Sequence, residues 1–198
     1  MKKLFALLAV VMTMMLSLAA CDKLGKAPVA FQNTDLTGLD YASGFALTDH
    51  TGKPRTLADF KGKVVLIFFG YTQCPDVCPT TMAEMAAVMK ELGPQADKVQ
   101  VLFVTIDPER DTQALLAQYV PAFDPRFLGL YGDAAATAKV AKEFKVFYAK
   151  VPGKTAGGYS MDHTAATYVF DPAGKIRLFV RNGQGTAPLV HDIKQLLN

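Results

Sequence analysis

The sequence predicts an α/β domain with a mixed central sheet and helices on both faces. Segments of strand length alternate with segments of helical pattern along most of the chain. Two continuous apolar runs have the composition of strands buried on both faces, and two strands followed by a helix close the chain. The 198 residues are enough for one such domain and a short leader.

The elements are predicted from hydrophobic period and from turn signals. A turn at residues 49–54 joins two short strands at 45–47 and 56–57, and Asp171 begins a strong turn between the last two strands. Pro121 ends one helix, and Asp133 is a good N-cap for the next. The other predicted elements are, in order, a strand at 64–69, a helix at 80–92, a strand at 99–106, a helix at 112–120, a strand at 127–131, a helix at 133–144, strands at 166–170 and 176–180, and a helix at 189–197.

The first 20 residues have the pattern of a bacterial secretory signal, with two lysines, an apolar run and then small residues. Residues 18–21 (LAAC) resemble a lipobox, in which the cysteine is acylated and becomes the mature N-terminus. We therefore predict a lipoprotein signal peptide at 1–20 and a lipid anchor at Cys21. An uncleaved membrane helix is the alternative, although the run is short for one. Asp22 resembles a signal for retention in the inner membrane, which places the protein on its periplasmic face.

Residues 21–40 are polar, with scattered glycine and proline, and we predict that they form the anchor and a flexible tether. The domain then occupies residues 41–198. The net charge is +3, two of the positive charges belong to the leader, and no block of like charge stands out. We therefore expect no nucleic-acid partner.

Cys74 and Cys78 follow a buried strand and precede a helix. Pro79 suits a first helical turn, so Cys78 is predicted at or beside the helix N-terminus, where the dipole favours thiolate and lowers the thiol pKa. A structural disulfide, a redox dithiol and a metal clamp all remain open. A disulfide across so short a loop would stabilise little, and redox pairs usually have two intervening residues rather than three.

Two thiolates suit a soft cation, above all Cu(I), and a histidine would complete trigonal coordination. We favour His163, which is predicted to lie in a loop just before the strand at 166–170. His50 and His191 show no metal-ligand spacing to the pair. Met161 is a weaker candidate ligand. Three methionines at helical spacing are interpreted as core rather than as copper ligands, namely Met82, Met85 and Met89.

Two further features surround the predicted ligands. Asp107 ends a predicted strand, and its carboxylate could orient His163 and tune the charge of the site, or it could cap a turn. Both interpretations stay open. The segment before His163 contains three glycines, which free the backbone. We therefore expect a mobile loop that lets His163 move onto the metal.

Three motifs together resemble one known family. Residues 69–79 (FGYTQCPDVCP) resemble the signature of the SCO/SenC copper chaperones, and residues 105–112 (TIDPERDT) and 162–165 (DHTA) resemble their second and third motifs, in the family's order. The resemblance extends over roughly residues 45–197. It implies a thioredoxin-like fold with a family insertion, and binding of Cu(I) and Cu(II) through Cys74, Cys78 and His163. It further implies help in assembling the dinuclear copper centre of cytochrome c oxidase. Oxidase subunit II, or another copper-accepting protein, would be its partner. We expect the protein itself to be a monomer.

Three functions are compatible with these residues. The metallochaperone is favoured, and a thiol–disulfide oxidoreductase that reduces the cysteines of the oxidase copper site with Cys74 and Cys78 is the alternative. No proline precedes the strand at 166–170, where thioredoxin-type oxidoreductases carry one. A peroxide-reducing or redox-sensing enzyme usually depends on one activated cysteine and fits less well. We therefore do not expect a turnover enzyme.

Overall fold

The computed structural model describes residues 30–153 and 157–198. Their strands and helices are, in chain order, β1 (Thr34–Asp35), β2 (Ala46–Asp49), β3 (Pro54–Thr56), β4 (Val64–Gly70), α1 (Val77–Leu92), β5 (Val99–Thr105), α2 (Gln113–Tyr119), β6 (Leu128–Tyr131), α3 (Ala134–Glu143), β7 (Tyr148–Pro152), β8 (Tyr159–His163), β9 (Ala166–Phe170), β10 (Ile176–Arg181) and α4 (Thr186–Leu197). Short 3-10 helices follow β3 and α1. Every predicted strand and helix forms, with each end within three residues of its predicted position.

The main sheet has the strand order β1-β10-β9-β4-β5-β6-β2-β3. β4 pairs in parallel with β5 and antiparallel with β9, so the sheet is mixed, as predicted. All seven residues of β4 and of β5 are buried. Continuous apolar runs of this length require cover on both faces, because successive side chains point to opposite sides of a sheet.

The aromatic contacts of β4 and β5 show the helices on both faces of the sheet. Phe68 lies opposite Phe103 in the ladder, and the Phe103 ring centroid is 5.7 Å from that of Tyr119 at the end of α2. Phe69 points to the other face, where its ring is 5.2 Å from that of Phe144, directly after α3. The predicted α/β architecture is therefore confirmed.

The helices follow their predicted caps and core positions. The side chains of Thr112 and Asp133 accept hydrogen bonds from backbone N–H groups in the first turns of α2 and α3, at 3.2 and 2.7 Å. The three methionines of α1 are fully buried, which confirms that they belong to the core. No helix among residues 30–153 and 157–198 is long and apolar enough to cross a membrane.

Strands β7 and β8 form a second, two-stranded sheet that the sequence did not predict. Tyr148 pairs with His163 at one end of the hairpin and Pro152 with Tyr159 at the other, and the Gly153 N–H donates to the Gly158 carbonyl at 2.8 Å. The expectation that His163 lies in a loop is therefore wrong, because it is the last residue of β8. Residues 154–156 lie outside the described residues.

The ordered domain begins before the expected residue 41. Thr34 and Asp35 pair with β10, and Asn33 donates its backbone N–H (2.9 Å) and side-chain amide (2.8 Å) to the buried carboxylate of Asp192. A buried carboxylate is costly unless donors surround it, and the backbone of residues 32–33 supplies them. A flexible tether is thus the wrong prediction for residues 32–35. The leader, Cys21 and residues 22–29 lie outside the described residues.

Candidate metal centre

The cysteine loop lies at the carboxyl end of β4, between Gly70 and α1. Cys78 lies in the first turn of α1 and is fully buried, whereas Cys74 in the loop is half-buried. The Cys78 N–H points at the Cys74 sulfur, with an N···S distance of 3.4 Å. Both cysteines are free thiols. The tight turn therefore brings the two sulfurs to one place, as the four-residue spacing predicted.

Asp111 holds the start of this loop against the end of β5. Its buried carboxylate accepts hydrogen bonds from the hydroxyls of Thr72 and Thr105, both at 2.6 Å, and from the Thr72 N–H at 3.1 Å. Burial raises the pKa of Asp111, although these hydrogen bonds oppose the shift. Sequence reasoning singled out Asp107 in this motif and missed Asp111, because only the tertiary contact with Thr72 reveals its role.

His163 reaches the cysteines from the end of β8. Its Nε2 lies 3.6 Å from the Cys78 sulfur, and its Nδ1 lies 3.1 Å from the Thr164 carbonyl oxygen. A carbonyl can only accept, so Nδ1 carries the proton and the lone pair of Nε2 faces the sulfurs. Burial lowers the pKa of His163, which keeps the imidazole neutral and able to bind a metal. The rings of Phe68 and Tyr71 contact it edge-on, each at a centroid distance of 6.1 Å.

The donor atoms of Cys74, Cys78 and His163 all lie within 4.8 Å of one another. Metal–sulfur and metal–nitrogen bonds are about 2.0–2.3 Å long, so one ion can reach all three donors after small shifts. Among the described residues, no other carboxylate, histidine or cysteine joins this cluster. The structure thus brings together the three residues that the sequence singled out.

The expected low pKa of Cys78 is wrong. Burial of its sulfur raises the pKa well above the usual range for a thiol, and the opposing hydrogen bond from the Tyr71 backbone is too weak to compensate. Burial also outweighs the lowering of the thiol pKa by the helix N-terminus, because the buried sulfur is not solvated. A cation that binds here must therefore displace the thiol proton.

Asp107 is the hub of a turn rather than a direct partner of His163. Its backbone carbonyl accepts from the N–H groups of Arg110 (3.1 Å) and Asp111 (2.9 Å). Its buried carboxylate accepts from the Arg110 side chain and from the Tyr159 hydroxyl at 2.8 Å. His163 instead donates its Nδ1–H to the Thr164 carbonyl, and this hydrogen bond orients the ring. The hydrogen-bond partners of the Asp107 carboxylate are therefore Arg110 and Tyr159 rather than His163. That this carboxylate tunes the charge of the site stays a prediction.

The remaining candidates have other contacts. His50 accepts a hydrogen bond from the Gly129 N–H at 3.0 Å through Nδ1, so its ring lies beside the paired strands β2 and β6. The His191 Nδ1 lies 2.8 Å from the Asp192 carboxylate. Met161 is buried in the hydrophobic core. His50 and His191 lie outside the cluster of donors.

Comparison with known proteins gives one consistent family. The SCO1/SenC family model matches residues 33–198. The mitochondrial SCO2 homolog of Bos taurus is 44% identical over 132 residues, which are 66% of this chain and 50% of the bovine protein. The chain spans about half the length of several curated relatives that it matches.

Two solved structures extend this comparison. Bradyrhizobium japonicum ScoI with copper bound has 45% sequence identity and a TM-score of 0.72, with 78% of this chain and 98% of that chain covered. A SCO1/SenC family lipoprotein from Bacillus anthracis has 25% identity and a TM-score of 0.69, with 85% and 100% covered. The fold is therefore the thioredoxin-like fold that the motifs implied. By its motifs, its fold and these relatives, the chain belongs to the SCO1/SenC family.

Proposed function

We propose that this protein is an extracytoplasmic copper metallochaperone that assists assembly of the dinuclear copper centre of cytochrome c oxidase. It binds copper, as Cu(I) and as Cu(II), through Cys74, Cys78 and His163, and passes it to oxidase subunit II or another acceptor. The observation that carries the proposal is the convergence of these three donors within 4.8 Å. It is supported by the similarity of the chain to a ScoI with copper bound.

The chemistry of the donors favours copper. Thiolate ligands suit the soft Cu(I) ion. Among divalent first-row metal ions, the same donors bind Cu(II) most tightly. Structural zinc sites are closed by four protein ligands, whereas three converge among the described residues. Because Cys74 is only half-buried, a thiolate of the acceptor protein can approach the copper from the Cys74 side. Copper can then pass to the acceptor by exchange of one ligand at a time.

A second function, thiol–disulfide exchange, is favoured by the two free thiols. The Cys78 N–H points at the Cys74 sulfur, and Cys74 is the more accessible of the two cysteines. In this reaction the Cys74 thiolate attacks a disulfide of the oxidase copper site, which releases one target thiol and leaves a mixed disulfide. Cys78 then attacks the Cys74 sulfur of that mixed disulfide and releases the second target thiol. The target gains two thiols, and the pair of this protein becomes a disulfide.

His163→Ala separates the two functions. We expect the variant to lose copper transfer to a copper-depleted subunit II fragment, because two sulfurs alone hold Cu(I) less securely. Reduction of a disulfide in the same fragment should largely survive, since it needs only the cysteines. Absorption of the assembled copper centre and thiol titration give the two readouts.

His191→Ala is the matched control, since His191 contacts Asp192 rather than the cysteines. Normal transfer by His163→Ala would contradict the three-ligand site. A wild-type protein that reduces the fragment but transfers no copper would establish the reductase instead.

We also propose that Cys21 is the lipid anchor on the periplasmic face of the inner membrane. The lipobox pattern supports this, as does the relative from Bacillus anthracis named as a lipoprotein. In cells fed an alkyne fatty acid, wild-type protein should take up the label and sediment with membranes, because two acyl chains give stable binding. Cys21→Ser should take up no label. An unlabelled wild-type protein that keeps its leader would show an uncleaved membrane helix instead.

A further inference from the structure

Arg110 lies between the two halves of the proposed copper site. Its Nη1 donates to the Gln73 side chain at 3.1 Å and to the Tyr159 carbonyl at 2.8 Å. Gln73 precedes Cys74 in the cysteine loop, and Tyr159 begins the strand that ends at His163. Its Nε donates to the buried carboxylate of Asp107. One guanidinium therefore contacts the cysteine loop, the end of β5 and the histidine strand.

Stacking reinforces these hydrogen bonds. The central carbon of the guanidinium lies 3.6 Å from the centroid of the Tyr159 ring and 5.7 Å from that of Tyr71. The Tyr159 hydroxyl donates to Asp107 at 2.8 Å, so arginine, tyrosine and aspartate form a closed set of contacts. The side chain of Arg110 is only 19% exposed, and that of Asp107 is 1% exposed. Water and salt therefore screen the Arg110–Asp107 ion pair only weakly. Only a planar guanidinium can donate several hydrogen bonds in one plane and also stack on an aromatic ring.

The histidine strand needs such a contact, because backbone pairing does not tie it to the cysteine loop. In the described residues, β8 pairs with β7 alone, in a sheet separate from the one that carries β4. At its carboxyl end β8 leads directly into β9, which pairs with β4. At its other end, Tyr159 contacts Arg110. Because alternate residues of a strand share a face, Tyr159 and His163 lie on the same face of β8.

From these contacts we propose that Arg110 is a positioning residue that clamps the His163 strand to the cysteine loop and slows the release of copper. This inference rests on the proposed copper function. Without the clamp, β8 keeps its pairing with β7 and the hydrogen bond from the Tyr159 hydroxyl to Asp107. It loses the guanidinium that joins Tyr159 to Gln73, and the imidazole leaves the metal more often. Each departure lowers the coordination to two sulfurs and opens the ion to an incoming ligand.

The test compares three variants of the full chain, each purified in detergent, reduced and loaded with Cu(I). Arg110→Gln removes the positive charge and the planar set of N–H donors. Arg110→Lys keeps the positive charge but not the planar donors. Arg177→Gln is the matched control, because Arg177 makes the same kinds of contact with Asp171 (3.2 Å) and the Phe31 ring (5.2 Å). Those contacts lie beyond Phe170, which pairs with Val65 at the opposite end of β4 from the cysteine loop.

The measurement is the rate at which a chromogenic chelator removes Cu(I). Loss of contacts around a metal ligand typically changes metal binding by 10–100-fold, so we expect removal to be about tenfold faster in Arg110→Gln. Arg110→Lys should fall between it and the wild type, and Arg177→Gln should match the wild type. In the metal-free protein, amide hydrogen exchange of β8 should rise in Arg110→Gln, while that of β4 stays unchanged.

An Arg110→Gln variant that releases copper at the wild-type rate would overturn the inference. So would an equal acceleration in Arg177→Gln, which would show general loss of stability. A wild-type chain that takes up no Cu(I) would overturn the proposed function instead. Amide exchange of β8 would then decide whether the clamp exists without copper.

Discussion

Replacing Cys78 with serine is expected to reduce the copper that the reduced protein retains after desalting against a chelator almost to zero. The buried sulfur lies 3.6 Å from the His163 Nε2 and beside the Cys74 sulfur, so it is the central donor of the three. A serine hydroxyl is a hard ligand that keeps its proton at neutral pH, and it cannot replace a thiolate on Cu(I). The copper content of each variant, measured by atomic absorption, checks the prediction.

The matched control for this experiment is Met82→Leu. Met82 lies four residues after Cys78 on α1 and is fully buried, so its replacement also removes a sulfur from the core. Swaps between methionine and leucine usually cost less than about 1.5 kcal/mol, and copper binding should be unchanged. Retention of copper by Cys78→Ser at the wild-type level would exclude Cys78 as a ligand. Loss of copper in Met82→Leu would indicate that the Met82 thioether is a copper ligand.

Gly70→Ala is expected to weaken both the fold and copper binding. A Cβ at this position would lie 3.0 Å from the Cys78 sulfur, 2.8 Å from the Phe68 ring and 3.0 Å from the Phe103 ring. Overpacking of a core typically costs about 1–3 kcal/mol, and the free energy of unfolding should fall by that amount. The sulfur is also displaced from its place opposite His163, so the affinity for Cu(I) should fall as well. Urea unfolding and competition with a chelator measure the two effects.

Gly44→Ala is the control for that variant. Gly44 has no atoms within 4 Å of an added Cβ, and its backbone needs no glycine. Its replacement should leave both quantities unchanged. If Gly70→Ala unfolds at the wild-type urea concentration and binds Cu(I) normally, then the close approach of Gly70 to Cys78 has no role in shaping the site.

The central strands and the ligands were predictable because they depend on local patterns. An apolar run such as residues 64–69 is stable only when both faces are covered, and this requirement is visible in the chain. Two cysteines before a helix, followed later by a histidine before a strand, likewise point to one metal site. The role of Gly70 was not predictable in this way, because it depends on the Cys78 sulfur, which the first turn of α1 places next to Gly70 in the folded protein.

Features that depend on distant partners could not be read from the chain. The strand Thr34–Asp35 pairs with β10, and the neighbouring Asn33 contacts Asp192, which lies 159 residues away. The β7–β8 hairpin has polar, partly exposed strands whose pattern resembles that of a loop. The pKa of Cys78 was predicted in the wrong direction because the helix terminus is visible in the sequence whereas burial of the sulfur is not. Arg110 likewise gains its partners only when the two halves of the site meet.

X-ray absorption at the copper edge tests the three-ligand site most directly. The reduced protein loaded with one equivalent of Cu(I) should show two sulfur donors and one nitrogen donor, the nitrogen being the His163 Nε2. This coordination follows from the cluster of Cys74, Cys78 and His163, whose donor atoms lie within 4.8 Å of one another. A spectrum with sulfur donors alone, or with a copper environment of only nitrogen and oxygen, would contradict the site proposed here.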